Sequence, residues 1–245
     1  LILTEGDSAK TMAIAGLSEV GRDYYGVFPL KGKVLNVKDA DANKLAKNAE
    51  ITNLKKILGL KMGETYNGTQ KPWPLRYGKI IIMTDQDVDG THIKGLIMNV
   101  FHSHWLSLLQ MGFVTSLITP IIKVTKGKQE ISFYTLEDYE KWKEKKGNSK
   151  WKVKYYKGLG TSTTKEAKEY FKNMKIVNYN WNSQKSDNAL DLAFNKSRAN
   201  DRKSWLQGYD KTNILDSNEK QVTFDEFIHK DLIHFSNYNV QRAIP

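Results

Sequence analysis

The sequence predicts an α/β fold with a mostly parallel sheet flanked by helices, followed by an α+β extension. Strand and helix signals alternate over the first 115 or so residues, which is typical of a parallel sheet. Lys79–Met83 is an uninterrupted β-branched run of the kind buried on both faces of such a sheet. From about residue 117, short alternating and charged segments replace this pattern, indicating a second architecture.

Three strands and three helices are predicted before that change. In chain order they are strand Leu1–Thr4, helix Lys10–Leu17, strand Tyr25–Phe28, helix Ala40–Leu58, strand Lys79–Met83 and helix His92–Gln110. Gly6 ends the first strand, and Asp7 or Ser8 is the predicted N-cap of the first helix.

The later part is predicted to begin with a hairpin. Ile118–Val124 and Glu130–Tyr134 flank a Gly-containing turn, which is a hairpin signal. The remaining predictions are helix Leu136–Lys146, strand Trp151–Tyr155, helix Lys165–Met174, a polar loop over 178–188, and helices Ala189–Leu206 and Thr223–Phe235.

Composition excludes several functional classes. The chain has no cysteine, which rules out disulfide scaffolds, Cys-ligated metal sites and thiol catalysis. No apolar run approaches the ~18 residues of a membrane span, so no membrane partner is predicted. The 38 Lys and Arg against 27 Asp and Glu give a net charge of +11, which favours nucleic acid as a partner. The apolar opening Leu1–Thr4, without an initiator Met, indicates a piece of a longer protein.

Three carboxylates follow the strongest predicted strand, in the pattern Asp85-x-Asp87-x-Asp89-Gly90. An EF-hand loop is excluded, because Leu96 stands where its bidentate Glu is required and a strand, not a helix, precedes the loop. Charges so close together repel strongly. A hydrated turn is one explanation, but hard oxygen ligands at a strand end favour a Mg²⁺ site.

A second acidic loop, Glu5–Ser8, follows the first predicted strand. Ordinary helix capping explains Asp7 and Ser8 but not Glu5, which lies before the cap. Because ligands gather at the carboxyl ends of parallel strands, Glu5 is expected to complete a metal site with the Asp85 loop. Such a site stabilises oxygen charge in phosphoryl transfer, and a carboxylate there can move a proton.

Two other motifs give no positive evidence for a metal or nucleotide site. His102 and His104 lie two residues apart on a predicted helix and do not share a face, so packing or surface roles are favoured over metal binding. Lys157–Thr161 lacks the spacing of a phosphate-binding loop, so no ATP site is predicted there.

Four segments together resemble the TOPRIM region of type II DNA topoisomerases, and in detail the eukaryotic enzymes. They are Glu5-Gly6-Asp7-Ser8-Ala9, Pro29-Leu30-Lys31-Gly32-Lys33-Val34-Leu35-Asn36, Asp85-Gln86-Asp87-Val88-Asp89-Gly90 and Tyr156-Lys157-Gly158-Leu159-Gly160-Thr161-Ser162-Thr163. Lys31 and Val88 differ from many relatives, without removing a carboxylate or a basic group. The resemblance extends to Gln241–Pro245.

The resemblance implies specific roles. Glu5 is the expected catalytic carboxylate and, with Asp85, Asp87 and Asp89, an expected ligand of two Mg²⁺ ions, for which Mn²⁺ or Ca²⁺ can substitute. Asp85 is expected to be shared between the two ions. The expected DNA contacts are Lys33, Asn36, Lys196 and Ser197.

It also implies an organisation and an activity. The expected parts are a TOPRIM domain over 1–117, its C-terminal extension over 118–238, and the start of a winged-helix cleavage domain over 239–245. The whole enzyme is expected to be a nuclear, ATP-hydrolysing homodimer that cleaves and religates double-stranded DNA with a tyrosine outside this chain. The chain alone is expected to be inactive. A TOPRIM nuclease or primase, and a metal-independent basic DNA-binding domain, are the alternatives.

Overall fold

Short aliphatic and β-branched segments form two sheets. The computed structural model describes residues 1–146 and 150–244. Within that part of the chain the strands are β1 Ile2–Glu5, β2 Val27–Leu30, β3 Ile80–Met83, β4 Val114–Leu117, β5 Ile122–Lys126, β6 Gln129–Phe133, β7 Lys152–Tyr155, β8 Ile176–Asn180 and β9 Gln221–Thr223. The larger sheet has the order β2-β1-β3-β4-β8-β9, and the smaller one the order β6-β5-β7.

Parallel pairing of the first four strands positions the candidate site. β1 lies between β2 and β3, and β3 pairs in parallel with β4. In the β1–β3 register, Thr4 lies opposite Met83. The segments that follow β1 and β3 therefore leave the sheet side by side at one edge.

Helices cover both faces of the larger sheet. They are α1 Gly6–Val20, α2 Ala42–Lys47, α3 Ala49–Leu58, α4 Val88–His104, α5 Leu106–Gln110, α6 Leu136–Lys146, α7 Thr164–Lys172, α8 Ser183–Phe194, α9 Ala199–Gln207, α10 Phe224–Phe227 and α11 Ile233–Ala243. Leu159–Thr161 and Lys196–Arg198 are single 3₁₀ turns, and Ile228–Leu232 is a π-helical segment between α10 and α11.

Side chains alternate between the two faces of each strand, and this alternation divides the core of the larger sheet into two clusters. Leu3 and Ile82 lie opposite each other in the register and pack with α4 in the larger hydrophobic cluster. Ile2 and Met83 point to the other face, where they pack with α1 and α7. Helix α4 is buried around most of its circumference, and its buried residues include polar ones such as Lys94 and Asn99. No helix in the described ranges has the length and apolarity that a bilayer crossing requires.

The α/β class, the mostly parallel sheet and the α+β character of the later part are confirmed. The predicted hairpin is β5–β6, which pairs antiparallel, and β7 joins it. The expected domain bounds stay a prediction, and Pro245, at the end of the expected 239–245 segment, lies outside the described residues. Chain beyond residue 117 supplies β8 and β9 to the larger sheet, β8 antiparallel to β4.

The predicted loop over 178–188 is wrong. This segment contains the end of β8 and the start of α8. Its polar residues have specific partners: Ser186 is fully buried and accepts a hydrogen bond from the amide of Asn182 at 2.8 Å.

Strand β4 was likewise not predicted, because it contains the polar residues Thr115 and Ser116. Both are buried, Thr115 donating to the Ile80 carbonyl at 2.7 Å and Ser116 bonding to Tyr179 at 2.8 Å.

Three predicted long helices are interrupted. Asn48 separates α2 from α3, and its side chain accepts a hydrogen bond from the Ile51 amide at 2.9 Å. Trp105 separates α4 from α5, and its indole nitrogen donates to the Lys61 carbonyl at 2.9 Å. Asn195 ends α8, and its side chain accepts from the Ser197 amide at 3.0 Å. Each break lies where a polar group finds a partner that a continuous helix does not offer.

One buried carboxylate joins the smaller sheet to α7. Glu166 accepts hydrogen bonds from Lys154 Nζ at 2.7 Å, Tyr156 Oη at 2.5 Å and the Thr163 amide at 2.7 Å. Thr163 and Glu166 together form a capping box at the start of α7. Burial raises the pKa of Glu166, but these hydrogen bonds outweigh it and lower the pKa to about 2.

Replacing Glu166 with Gln is expected to destabilise the fold by about 1–3 kcal/mol at neutral pH, because Lys154 and Tyr156 lose a charged partner. The folded-state pKa lies below the ordinary value of 4.5, so the carboxylate stabilises the protein above that pH. The difference between wild type and variant should shrink as the pH falls from 4.5 towards 2. Urea unfolding across this pH range measures it.

Glu169→Gln is the matched control on the same helix. Its carboxylate pairs with Lys123 at 3.0 Å but is 41% exposed, so a loss of at most about 1 kcal/mol is expected. Equal losses for the two variants would contradict the role given to Glu166.

Candidate functional site

The carboxyl ends of β1 and β3 bring two predicted site residues into contact. The backbone amide of Asp85 donates a hydrogen bond to Glu5 Oε2 at 3.1 Å. Helix α1 begins at Gly6, so Asp7 and Ser8 lie in its first turn and the predicted capping by either is wrong. Glu5 itself occupies the N-cap position but makes no side-chain capping bond, so its carboxylate turns to Asp85.

A loop from the later part of the chain holds the Asp85 side chain. The Leu159 amide donates to Asp85 Oδ1 at 2.7 Å. A Cβ on Gly158 would lie 2.6 Å from Asp85 Oδ2, so a larger residue there would require the Asp85 carboxylate to shift. Lys157–Thr161 therefore positions a carboxylate. Spacing alone did not predict this contact; the only signal was the glycine pair Gly158 and Gly160.

Asp87 and Asp89 have other partners. Asp87 is the N-cap of α4, its Oδ1 accepting from the Gly90 amide at 2.8 Å, so this helix begins at Val88 and not at the predicted His92. Asp89 Oδ1 pairs with Lys33 Nζ at 3.0 Å, with both side chains substantially exposed. The predicted DNA-contact lysine thus neutralises one of the predicted metal ligands.

Burial and like charges act together on Glu5. Burial raises the pKa of its carboxyl; the hydrogen bond from the Asp85 amide opposes this, and the charges of Asp85, Asp87 and Asp89 raise it further. A carboxyl with a raised pKa near other acids is suited to exchange a proton.

The four carboxylates suit a hard divalent cation by donor type, but they do not converge. In the described ranges 1–146 and 150–244, no three Asp, Glu or His side chains are gathered closely enough to hold a metal ion. Glu5 and Asp85 each use one oxygen in the bonds above, which leaves the second oxygen of each for a cation. Asp87 and Asp89 would have to turn from the Gly90 amide and from Lys33 to join them.

Hydrogen bonds join the two segments that carry the predicted DNA contacts. Asn36 Nδ2 donates to the Phe194 carbonyl at 2.9 Å, and Asp39 accepts from the Lys196 amide at 2.9 Å. Asn36 Oδ1 also accepts from the buried Asn99 at 2.9 Å. The side chain of Asn36 therefore already has a structural role.

Lys196 and Ser197 are exposed at the 3₁₀ turn after α8. The Ser197 hydroxyl donates to Asn195 Oδ1 at 2.7 Å, so this serine also takes part in the turn. The four predicted DNA contacts come from segments more than 150 residues apart, as the 158-residue separation of Asn36 and Phe194 illustrates.

A cavity of about 260 Å³ lies between these segments, lined among others by Lys33, Asn36, His92, Phe194 and Phe235. The His92 ring stacks on Phe235 with centroids 4.0 Å apart. Burial and the charge of Lys33 lower the pKa of His92 to about 4, with Asp89 opposing. His92 is therefore neutral at pH 7. Sequence analysis assigned no role to His92 or Phe235.

Comparison with known protein families matches almost the whole chain. A model described as the Toprim domain matches residues 1–115, and one described as the C-terminal associated domain of TOPRIM matches residues 117–240.

Individual proteins give the same result. DNA topoisomerase 2-alpha of Rattus norvegicus is 51% identical over 260 residues, covering 100% of this chain and 17% of the relative. DNA topoisomerase 2 of Plasmodium falciparum (isolate K1 / Thailand) is 51% identical over 249 residues, covering 100% and 18%. The chain therefore spans less than a fifth of the length of these relatives.

A solved structure matches as well. The crystal structure of the Plasmodium falciparum topoisomerase II DNA-binding, cleavage and re-ligation domain superimposes with a TM-score of 0.94 at 50% identity. The match covers 100% of this chain and 34% of that one.

Replacing Gly158 with Ala is expected to cost about 1–3 kcal/mol of stability, because the new methyl group displaces the Asp85 carboxylate and strains its bond to Leu159. Gly160→Ala is the matched control two residues away. The nearest atom to its new Cβ is Ser8 Cβ at 3.6 Å, so a change within about 0.5 kcal/mol is expected. Urea unfolding of both variants measures the difference, and a Gly158→Ala protein as stable as Gly160→Ala would disprove the contact.

Proposed function

Because this chain belongs to the DNA topoisomerase 2 family, of which it comprises the Toprim domain and the C-terminal associated domain, we propose that it is the metal-binding module for DNA cleavage and religation. One observation carries the proposal: Glu5 and Asp85 are held in contact at adjacent ends of parallel strands, where the Leu159 amide also orients Asp85.

Glu5, Asp85, Asp87 and Asp89 would hold two Mg²⁺ ions, with Asp85 shared and with Mn²⁺ or Ca²⁺ as substitutes. When bound, such ions stabilise negative charge on the oxygens that attack and leave in phosphoryl transfer. Magnesium is preferred over softer metals because every donor is a carboxylate oxygen.

The residues of the chain then have distinct tasks. Glu5 is the catalytic carboxylate, held beside Asp85 where it can exchange a proton near the scissile phosphate. Asp85 is kept in place by the Leu159 amide, so the ligand geometry does not depend on a mobile side chain. The amide of Asp85 orients Glu5 in turn.

Double-stranded DNA is the proposed substrate, bound across the face that carries Lys33, Asn36, Lys196 and Ser197. The net charge of +11 supports a polyanionic partner. Lys33 pairs with Asp89, so a phosphate bound by this lysine would approach the proposed metal site. Asn36 would have to bind DNA with its structural hydrogen bonds retained or exchanged.

The whole enzyme is proposed to be a nuclear, ATP-hydrolysing homodimer whose nucleophilic tyrosine lies outside residues 1–245. The chain covers only 17% and 18% of two relatives, which supports the placement of other functions outside it. The 245-residue chain alone is therefore expected not to cleave or relax DNA. Metal-dependent cleavage by the chain alone would favour a TOPRIM nuclease instead.

Replacing Asp87 with Asn is expected to weaken Mg²⁺ binding and leave the fold intact. Asn caps a helix about as well as Asp, so the bond from the Gly90 amide is retained. Removing one charge relieves repulsion, so the melting temperature without metal should hold or rise. Stabilisation by Mg²⁺, which follows RT ln(1 + [L]/Kd), should shrink. Thermal melts over a Mg²⁺ titration measure both effects.

Asp41→Asn is the matched control, because Asp41 also caps a helix, accepting from the Lys44 amide at 2.7 Å, but belongs to α2. Its Mg²⁺ response should equal that of wild type. If Asp87→Asn melted far lower without metal and kept the full Mg²⁺ response, the three aspartates would be structural and the metal site wrong.

Replacing Lys33 with Ala in the longer enzyme is expected to weaken DNA binding at low salt. Each phosphate neutralised contributes roughly 0.9 to the slope of log K against log salt, so the slope should fall in magnitude by about 1. The loss should be similar for unrelated DNA sequences, because phosphate contacts do not read bases. Fluorescence anisotropy at several salt concentrations measures the slope.

Lys141→Ala is the control for charge alone. This lysine is 64% exposed on α6 and pairs with Glu137 at 2.7 Å. A smaller change of slope is expected from it. Identical slopes for Lys33→Ala and the parent enzyme would place Lys33 away from DNA, and its proposed role as a DNA contact would be wrong.

A further inference from the structure

A second cavity lies beside the acidic loop, and no role has been given to it. It has a volume of about 240 Å³ and is here called the rear cavity. Apolar and aromatic side chains form much of its wall: Ile118, Tyr134, Val177, Tyr179, Leu215 and Val222. It lies between α4, the larger sheet and the π-helical segment.

Two hydrogen-bond donors in this cavity have no acceptor. Lys94, on α4, is only 6% exposed and forms no ion pair within 4.0 Å in the part of the chain that the structure describes. Gln86 Nε2 is buried and has no hydrogen-bond partner among the residues that the structure describes. A buried amide nitrogen without a partner costs free energy. Lys94 Nζ and Gln86 Nε2 are both donors, and a negatively charged acceptor oxygen would pair with both.

The other charged groups are arranged around this pair. Asp231 accepts from Thr91 Oγ1 at 3.2 Å, and Lys230 faces Glu226 at 3.6 Å. Asp216 and Glu219 are exposed where their loop meets the cavity, and His234 is partly buried. Asp231 is the carboxylate best placed to compete for Lys94, but it lies beyond ion-pair distance.

We propose that the rear cavity binds a small organic carboxylate, with the carboxylate on Lys94 and Gln86 and an apolar body against the aromatic and aliphatic wall. The wall favours an organic anion over inorganic phosphate, because burial of apolar surface adds to the charge pairing. The proposal does not depend on metal or DNA binding elsewhere in the protein.

Binding there would also reach the acidic loop. Gln86 stands between Asp85 and Asp87, so a ligand bonded to its amide fixes the backbone from which both carboxylates project. Lys94 lies on the helix that Asp87 caps. A ligand in the rear cavity is thus placed to restrain the acidic loop through Gln86.

The test is calorimetric titration of the purified protein with phenylacetate, cinnamate and indole acetate, each beside its neutral amide, and with inorganic phosphate. At least one acid should bind ten times more tightly than its amide and than phosphate. Lys94→Met, which keeps the length and removes the charge, should abolish that preference. Lys230→Met, at the same cavity but paired with Glu226, should change the affinity less than twofold.

Stability gives a second, independent reading. The carboxylate that binds should raise the melting temperature of the wild type, and this rise should be lost in Lys94→Met. Asp231→Asn should strengthen carboxylate binding by removing a nearby negative charge. Acids that bind no better than their amides, or an unchanged preference in Lys94→Met, would each overturn the proposal. Gln86→Leu, expected to weaken acid binding, provides the test if Lys94→Met does not fold.

Discussion

The parallel pairing of β1 with β3 is the constraint on which the candidate site depends. With Thr4 opposite Met83, the next residues of both strands emerge at one edge, and the Asp85 amide reaches Glu5. A register shifted by one residue would exchange the two faces of β3 and separate Ile82 from the larger core. The core therefore enforces the register, and the register places the carboxylates.

Several weak interactions offset the negative charge at this edge of the sheet. The N-terminus of α4 faces Asp87 and Asp89, and its free amides and dipole favour them. Lys33 neutralises Asp89. Glu5 and Asp85 each accept one backbone amide. Together these contacts offset part of the repulsion among the four carboxylates.

The second part of the chain supports the site at both ends. Leu159 holds Asp85, and the Glu166 cluster holds the loop that carries Leu159 by joining Tyr156 to the start of α7. On the face that carries Lys33, hydrogen bonds of Asn36 and Asp39 join the Lys33 segment to the end of α8. The two family segments of the chain are thus one structural unit around one edge of the sheet.

The sequence by itself determined the fold class, the buried strand β3 and the two acidic loops at strand ends, because these depend on local periodicity and on where apolar runs stop. It did not determine β4 or β8, whose polar residues are satisfied only by partners distant in the chain, such as Tyr179 for Ser116. The placement of Gly158 against Asp85, and of Asn36 against Phe194, likewise came from the tertiary structure. Contacts across 74 and 158 residues leave no periodic signal, since only the folded sheet brings their segments together.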